Sequence, residues 1–232
     1  MVRNAVDAMG MDDAPQAIVE GARQASLRTS ADLVLVGDEV RIKALLGELE
    51  HDAKRIDVVH APDVIPMDAK PREALTALPN ASLPRAVQLV AQPDGPDALV
   101  SAGNTGAVVL ACAEHFQRLP GVRRTALAAV IPTERRRGEK DDPFTLLLDA
   151  GANLRVQSRD LAAFAVMGSA YASIVSRNPR PRVALLSNGT EPTKGLPEIV
   201  EAHAMLKELE ALHFIGNIEA KALLRAFQIP IS

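Results

Sequence analysis

Short apolar runs alternate along this chain with longer stretches in which apolar residues recur every third or fourth position. Such alternation is the pattern of βαβ units and predicts a parallel sheet covered by helices. The runs place strands at Arg3–Asp7, Asp32–Val36, Ile56–His60, Asp97–Val100, Thr125–Ile131, Phe144–Asp149, Arg182–Leu186 and His213–Ile215. Helical periodicity marks Pro15–Arg28, Glu39–Leu49, Arg72–Leu78, Arg85–Val90, Ala107–Phe116, Ser158–Ser176, Leu196–Leu209 and Ile218–Phe227. Pro79 and Pro84 separate the third helix from the fourth, since proline breaks a helix interior. A polar link, Pro132–Pro143, joins the fifth and sixth strands. The pattern shows no internal repeat or boundary, so a single α/β domain over residues 1–232 is expected.

The strand ends carry the chemistry. Ala98-Leu99-Val100 breaks into Ser101-Ala102-Gly103-Asn104-Thr105-Gly106 and then into an apolar helix. A strand, a glycine turn and a helix start direct unpaired N–H groups and the positive end of a helix dipole at one spot, which suits an anion. Related loops follow three other strands: Val6-Asp7-Ala8-Met9-Gly10, Leu148-Asp149-Ala150-Gly151-Ala152-Asn153, and Ser187-Asn188-Gly189-Thr190-Glu191-Pro192-Thr193-Lys194-Gly195. In an open parallel sheet, ligands bind beyond the carboxyl ends of the strands, so these loops are expected to share a crevice. Asn104, Thr105, Asn153, Thr190 and Lys194 supply donors, and Asp7, Asp149 and Glu191 can orient them. Taken singly, each glycine is an ordinary turn residue, Asp7 and Asp149 are helix caps, and Lys194 is a solvated lysine. Repetition of the same polar loop at four strand ends favours a site.

Composition narrows the classes. The 232 residues are 47% hydrophobic and 24% charged, enough to bury a core and too apolar for disorder. A formal charge of −3 argues against general nucleic-acid binding. One cysteine excludes an internal disulfide, and no Cys/His cluster has metal-ligand spacing, so neither metal nor cofactor is expected. The first residues resemble no signal peptide, and no apolar run reaches the roughly 18 residues of a spanning helix, which points to a cytoplasmic protein. Cys112 lies three residues before His115, but its apolar neighbours favour an inert thiol. The other histidines have no partner in sequence and no assigned role. Arg135-Arg136-Arg137 reads as a solvated loop or as a docking patch for an acidic partner.

At these loops the chain resembles the bacterial phosphate acyltransferases of phospholipid synthesis (acyl-ACP:phosphate acyltransferase, PlsX-type). The matching residues are Val6–Gly10, Ser101–Gly106, Leu148–Asn153, Phe164-Ala165-Val166-Met167-Gly168-Ser169, Gly189-Thr190-Glu191 with Lys194-Gly195, and Phe214-Ile215-Gly216-Asn217. The resemblance implies a three-layer α/β/α sandwich with a mostly parallel sheet, similar to isocitrate and isopropylmalate dehydrogenases and to phosphotransacetylases. It implies transfer of a fatty acyl group from acyl carrier protein to inorganic phosphate by a cytoplasmic homodimer that touches the membrane peripherally. On that reading Lys194, Asn104 and Asp7 are catalytic. Ser101, Gly103, Thr105, Gly106, Asp149, Gly151, Asn153, Thr190 and Glu191 bind substrate or phosphate, and Arg123, Arg124 and Arg135–Arg137 help dock the carrier.

The chain departs from that family at four places. Met11 stands where the family has a second glycine, and a positive φ there would strain the loop by about 1–2 kcal/mol. The region of Ser82 carries one serine and an added proline in place of paired serines, and the link Glu134–Asp142 is long and charged. Ser232 falls before the family's C-terminal region, so a truncated form is expected. Two other readings stay open: a phosphotransacetylase-like or dinucleotide-dependent enzyme of the same fold, and an impaired remnant that only binds phosphate or a partner. The second draws on the early end and Met11; against the dinucleotide enzyme, no Gly-x-Gly-x-x-Gly opens the first βαβ unit.

Overall fold

Strand β1 (Arg3–Asp7) lies inside a parallel sheet ordered β3-β2-β1-β4, with β2 at Asp32–Gly37, β3 at Ile56–His60 and β4 at Ala98–Val100. The computed structural model describes residues 2–132 and 144–220. It divides the chain into two units, Met1–Arg118 and Leu119–Ser232. The sheet belongs to the first. Its strands read as unbroken apolar runs because both faces are covered. Leu33 and Leu35 face Val19 and Ala22 of α1 (Gln16–Arg28) and Ile42 and Leu46 of α2 (Glu39–Gly47). Val34 and Val36 turn to the other face, with Ala5 and with Ala86 of α4 (Ser82–Val90). The first unit therefore has the expected three layers. A further cluster joins α4 to α3 (Pro71–Ala77) and α5 (Thr105–His115) through Leu83, Val87, Ala74, Ala107 and Ala111.

In the second unit β5 (Ala128–Pro132) pairs antiparallel with β6 (Phe144–Leu148), while β7 (Arg182–Ser187) runs parallel to β8 (His213–Glu219). Helices α6 (Ser158–Val175) and α7 (Pro197–Lys207) pack together, and Ala162, Ala202, Leu206, Leu185 and Leu212 form their core. Ser158 Oγ donates to the Glu201 carboxylate, tying the start of α6 to α7.

Two expectations fail here for local reasons. Pro84 does not delay the fourth helix, which starts at Ser82. Pro84 occupies the third helical position, inside the first turn, where an amide has no intrahelical acceptor to lose. The last strand is longer than the short apolar run suggests: Ile218 and Glu219 extend β8 instead of opening a helix. Gly216, with φ +98°, absorbs a register shift against Val183 and Leu185, so the strand continues past the bulge. The expected Ile218–Phe227 helix starts two residues late, at Ala220; its continuation from residue 221 lies outside the described residues, as do Arg135–Arg137 and the link Glu134–Asp142.

Ser82 is fully buried at the start of α4, and its Oγ has no hydrogen-bond partner among the described residues. An unpaired buried hydroxyl is a liability of about 1–3 kcal/mol. Ser82→Ala should therefore leave the thermal midpoint unchanged or raise it. A loss of more than about 1 kcal/mol on denaturant unfolding would contradict the orphan hydroxyl.

Candidate functional site

Parallel pairing of Val6 with Val100 leaves the next residues of the two strands, Asp7 and Ser101, side by side at the carboxyl edge of the sheet. Ser101 Oγ donates to Asp7 Oδ2 at 2.8 Å, and the Met9 amide donates to Asp7 Oδ1 at 3.3 Å. The carboxyl is 1% exposed. Ser101 Oγ in turn accepts the Gly103 amide at 3.1 Å. Gly10 closes this cluster: a Cβ there would strike Asp7 Oδ2 and come within 2.9 Å of Gly103 Cα. Asp7 therefore does not cap α1, whose N-cap is Pro15; it fastens the β1–α1 loop to the β4–α5 loop. Met11 carries no strain, because Arg177 is the only non-glycine residue with positive φ among those described. The loop accommodates methionine with an ordinary backbone.

The β4–α5 loop delivers the N-terminus of α5. Asn104 is its N-cap, with Oδ1 accepting the Ala107 amide at 3.1 Å. Its Nδ2 donates to the carbonyls of Ala69 at 2.9 Å, Met67 at 3.0 Å and Pro66 at 3.4 Å. A side-chain amide has two hydrogens, so three carbonyls leave none for a ligand. Asn104, expected as a substrate donor, is 8% exposed and straps the 66–69 segment to the helix start. Gly106 likewise has a packing reason, since a Cβ would meet Pro71 Cγ at 2.6 Å. Ser101 Oγ and the Gly103 amide are spent within the turn. Among the described residues the amides of Thr105 and Gly106 have no acceptor, and Thr105 is exposed. These two amides lie at the positive end of the α5 dipole, an arrangement suited to an anion.

In the second unit Asp149 organises the turn after β6. Its Oδ1 accepts the amides of Leu127, Ala152 and Gly151 at 2.8, 2.9 and 3.2 Å. Its Oδ2 accepts the Asn153 amide at 2.8 Å and Asn153 Nδ2 at 2.9 Å. Burial alone would raise the pKa, but hydrogen bonds from the Asn153 side chain and the Ala152, Leu127 and Asn153 amides outweigh it. They hold the carboxyl below its ordinary value. Asn153 also donates to Thr125 O at 2.7 Å, and Gly151 takes φ +127°. Asp149, Gly151 and Asn153 thus build one saturated turn.

The loop after β7 leaves Thr190, Glu191 and Lys194 exposed. It is anchored from beneath. Asn217 Nδ2 donates to Glu191 O at 3.0 Å, which turns Oδ1 toward His203 Nδ1 at 2.9 Å. A carbonyl accepts only from the amide NH₂, so the Asn217 orientation follows and His203 donates through Nδ1. His203 and Asn217 are both buried, and the His203 ring meets Phe214 edge-on at 5.1 Å. The sequence left His203 without a role, since its partner Asn217 lies 14 residues away on another element. Arg123 pairs with the Asp160 carboxylate through two guanidinium nitrogens, at 3.1 and 3.3 Å, and donates to Gln157 at 3.0 Å. Burial would raise the Asp160 pKa, but Arg123 and the Gln157 amide hold it low. In the first unit, burial pushes the Cys112 thiol up, in keeping with an inert side chain.

A folded-state pKa below the unfolded value of about 3.9 contributes stability that is present above that pH and lost as pH falls through the folded value. Asp149→Ala should cost on the order of 2 kcal/mol at pH 7. The gap from the parent should narrow as denaturant unfolding is repeated below about pH 4. A gap independent of pH would contradict the hydrogen-bonded carboxylate.

Comparison with known proteins places these features. The family model described as "Fatty acid synthesis protein" matches residues 2–227. A phosphate acyltransferase of Salinibacter ruber is 40% identical over 96% of this chain and 64% of its own length. One from Oleidesulfovibrio alaskensis is 41% identical over 93% and 60%, and one from Heliobacterium modesticaldum is 43% identical over 95% and 63%. The chain thus spans less than two thirds of the length of these curated relatives. Among solved structures, a phosphotransacetylase from Streptococcus pyogenes superposes with a TM-score of 0.70 at 18% identity, covering 95% of this chain and 69% of that one. The EutD phosphotransacetylase from Staphylococcus aureus gives 0.60 at 22% identity, covering 92% and 67%. These structures share the fold, and the match over residues 2–227 shows that the chain belongs to the fatty acid synthesis protein family.

Proposed function

We propose that this chain carries the phosphate-binding part of a phosphate acyltransferase, which moves a fatty acyl group from an acyl carrier protein thioester to inorganic phosphate. The reading rests on one observation: about 40% identity to proteins of that name along nearly the whole chain. The geometry is suited to such chemistry. A phosphate oxygen attacks the thioester carbonyl carbon, the C–S bond breaks, and the sulfur leaves as a thiolate. Phosphate is already anionic at neutral pH, and a thiol of pKa about 8.5 leaves readily, so neither a strong base nor a strong acid is required. Positioning and charge stabilisation remain.

On this reading the Thr105 and Gly106 amides and the Thr105 hydroxyl of the first unit hold phosphate; in the second unit, taken by itself, the exposed Lys194 ammonium is the candidate cation for an oxyanion. Lys194 suits that part because its ammonium has no ion pair among the described residues, while its stem lies over buried Gly189, where a Cβ would meet Lys194 Cγ at 2.8 Å. Asp7, Ser101, Gly103 and Asn104 shape the turn that presents the amides. Asp149, Gly151 and Asn153 order a neighbouring strand end in sequence, and Thr190 and Glu191 flank Lys194. The residues of the site call for no metal or cofactor. The acyl carrier protein, phosphate, a homodimer and a peripheral membrane position belong to the same proposal. Among the described residues no helix is long and apolar enough to cross a membrane.

The assay is formation of acyl phosphate from acyl carrier protein thioester and phosphate by the purified chain. Lys194→Ala should lower turnover at least a hundredfold, as for loss of one oxyanion donor, with circular dichroism unchanged. Undiminished turnover would remove Lys194 from the reaction.

A further inference from the structure

The Asp7 cluster has an apolar neighbour. A cavity of about 400 Å³ opens between the loop after β1 and the 64–68 segment, within the ordinary size range of small-molecule sites. Met9, Met11, Val64, Ile65 and Met67 wall it. Gly10 belongs to both the cavity and the Asp7 cluster, so the apolar space begins where the polar turn ends. The 66–69 segment that closes one side is the one Asn104 Nδ2 straps to the N-terminus of α5. One side chain therefore sets the helix start and the cavity wall together. Val64 and Met67 are 36% and 49% exposed, so the apolar wall is open to solvent and reachable by a ligand.

We propose that this cavity binds the first carbons of the fatty acyl chain of a neutral acyl thioester, with the carbonyl end toward Gly10. The assignment rests on the acyl-transfer reading above and names where that substrate's chain lies. Asp12 and Asp68 also line the cavity and are exposed, so an anionic occupant is disfavoured there. An uncharged hydrocarbon meets no such penalty. Methionine walls are flexible and polarizable, and accommodate a chain without demanding one shape.

The test is calorimetric titration of the full chain with S-butanoyl-, S-octanoyl- and S-dodecanoyl-pantetheine, probes that differ only in chain length. Affinity should rise roughly two- to fourfold per methylene over the first added carbons and then level off. Met67→Asp should remove the length dependence, and Val64→Asp, also on the exposed wall, should do the same if Met67→Asp fails to fold. Leu27→Asp, on the exposed last turn of α1 and outside the cavity, should keep it. Equal affinity for all three probes, or length dependence surviving in both wall variants, would overturn the assignment. Acyl-phosphate formation is measured separately. Loss of that activity reading with length-dependent binding intact would leave the cavity standing and remove the reaction.

Discussion

The hydrogen bond from Ser101 to Asp7 is the constraint on which the first unit's chemistry depends. Two neighbouring parallel strands end in register, and a buried carboxyl on one takes the hydroxyl on the other. With that contact made, the loop after β1 must pass over the Gly103 backbone so closely that position 10 has no room for a Cβ. The turn after β4 is then held in the one course that starts α5 at Thr105, and the α5 amides face outward from a rigid base. A site built on strand ends and a helix start gains precision from the sheet that supports it.

Both units use the same economy of polar groups. Carboxylates and side-chain amides are taken up by backbone: Asp149 by amides of its own turn, Asn104 by the 66–69 carbonyls, Asn217 by Glu191. On the proposed reading, the groups open to a substrate are the first-turn α5 amides and the Thr105 hydroxyl in the first unit and the Lys194 ammonium in the second, which have no partner among the described residues. Residues that look reactive in sequence are in several cases the ones that hold loops still. Loss of such a strap frees a loop and leaves its backbone partners without that hydrogen bond, so its effects reach both folding and binding.

Much of this was legible in the sequence. All of the first four strands fell within a residue of their observed bounds, because a strand covered on both faces reads as a continuous apolar run between turn residues. Ser101–Gly106 stood out as a helix-opening turn for the same reason. What could not be read were partnerships across long separations. Nothing near Asn104 in sequence points to the carbonyls of 66–69, and nothing near His203 points to Asn217. Pro84 misled because a proline in the first turn of a helix and one in its interior look alike until the helix start is known. β8 ran on past its apolar stretch because Gly216 inserts a bulge, which shifts the side-chain alternation by one position.

On the proposed reading, the Asp7, Ser101 and Gly10 cluster fixes a turn whose helix amides bind phosphate. Titration of inorganic phosphate into the parent chain and into Gly10→Ala tests it most directly. The added Cβ would push the Asp7 carboxyl off Ser101 and press on Gly103, displacing the turn. Phosphate affinity should fall at least tenfold, a loss of about 1.4 kcal/mol, while circular dichroism still reports the α/β fold. Equal phosphate affinity in the two proteins, or no phosphate binding by the parent, would contradict the account.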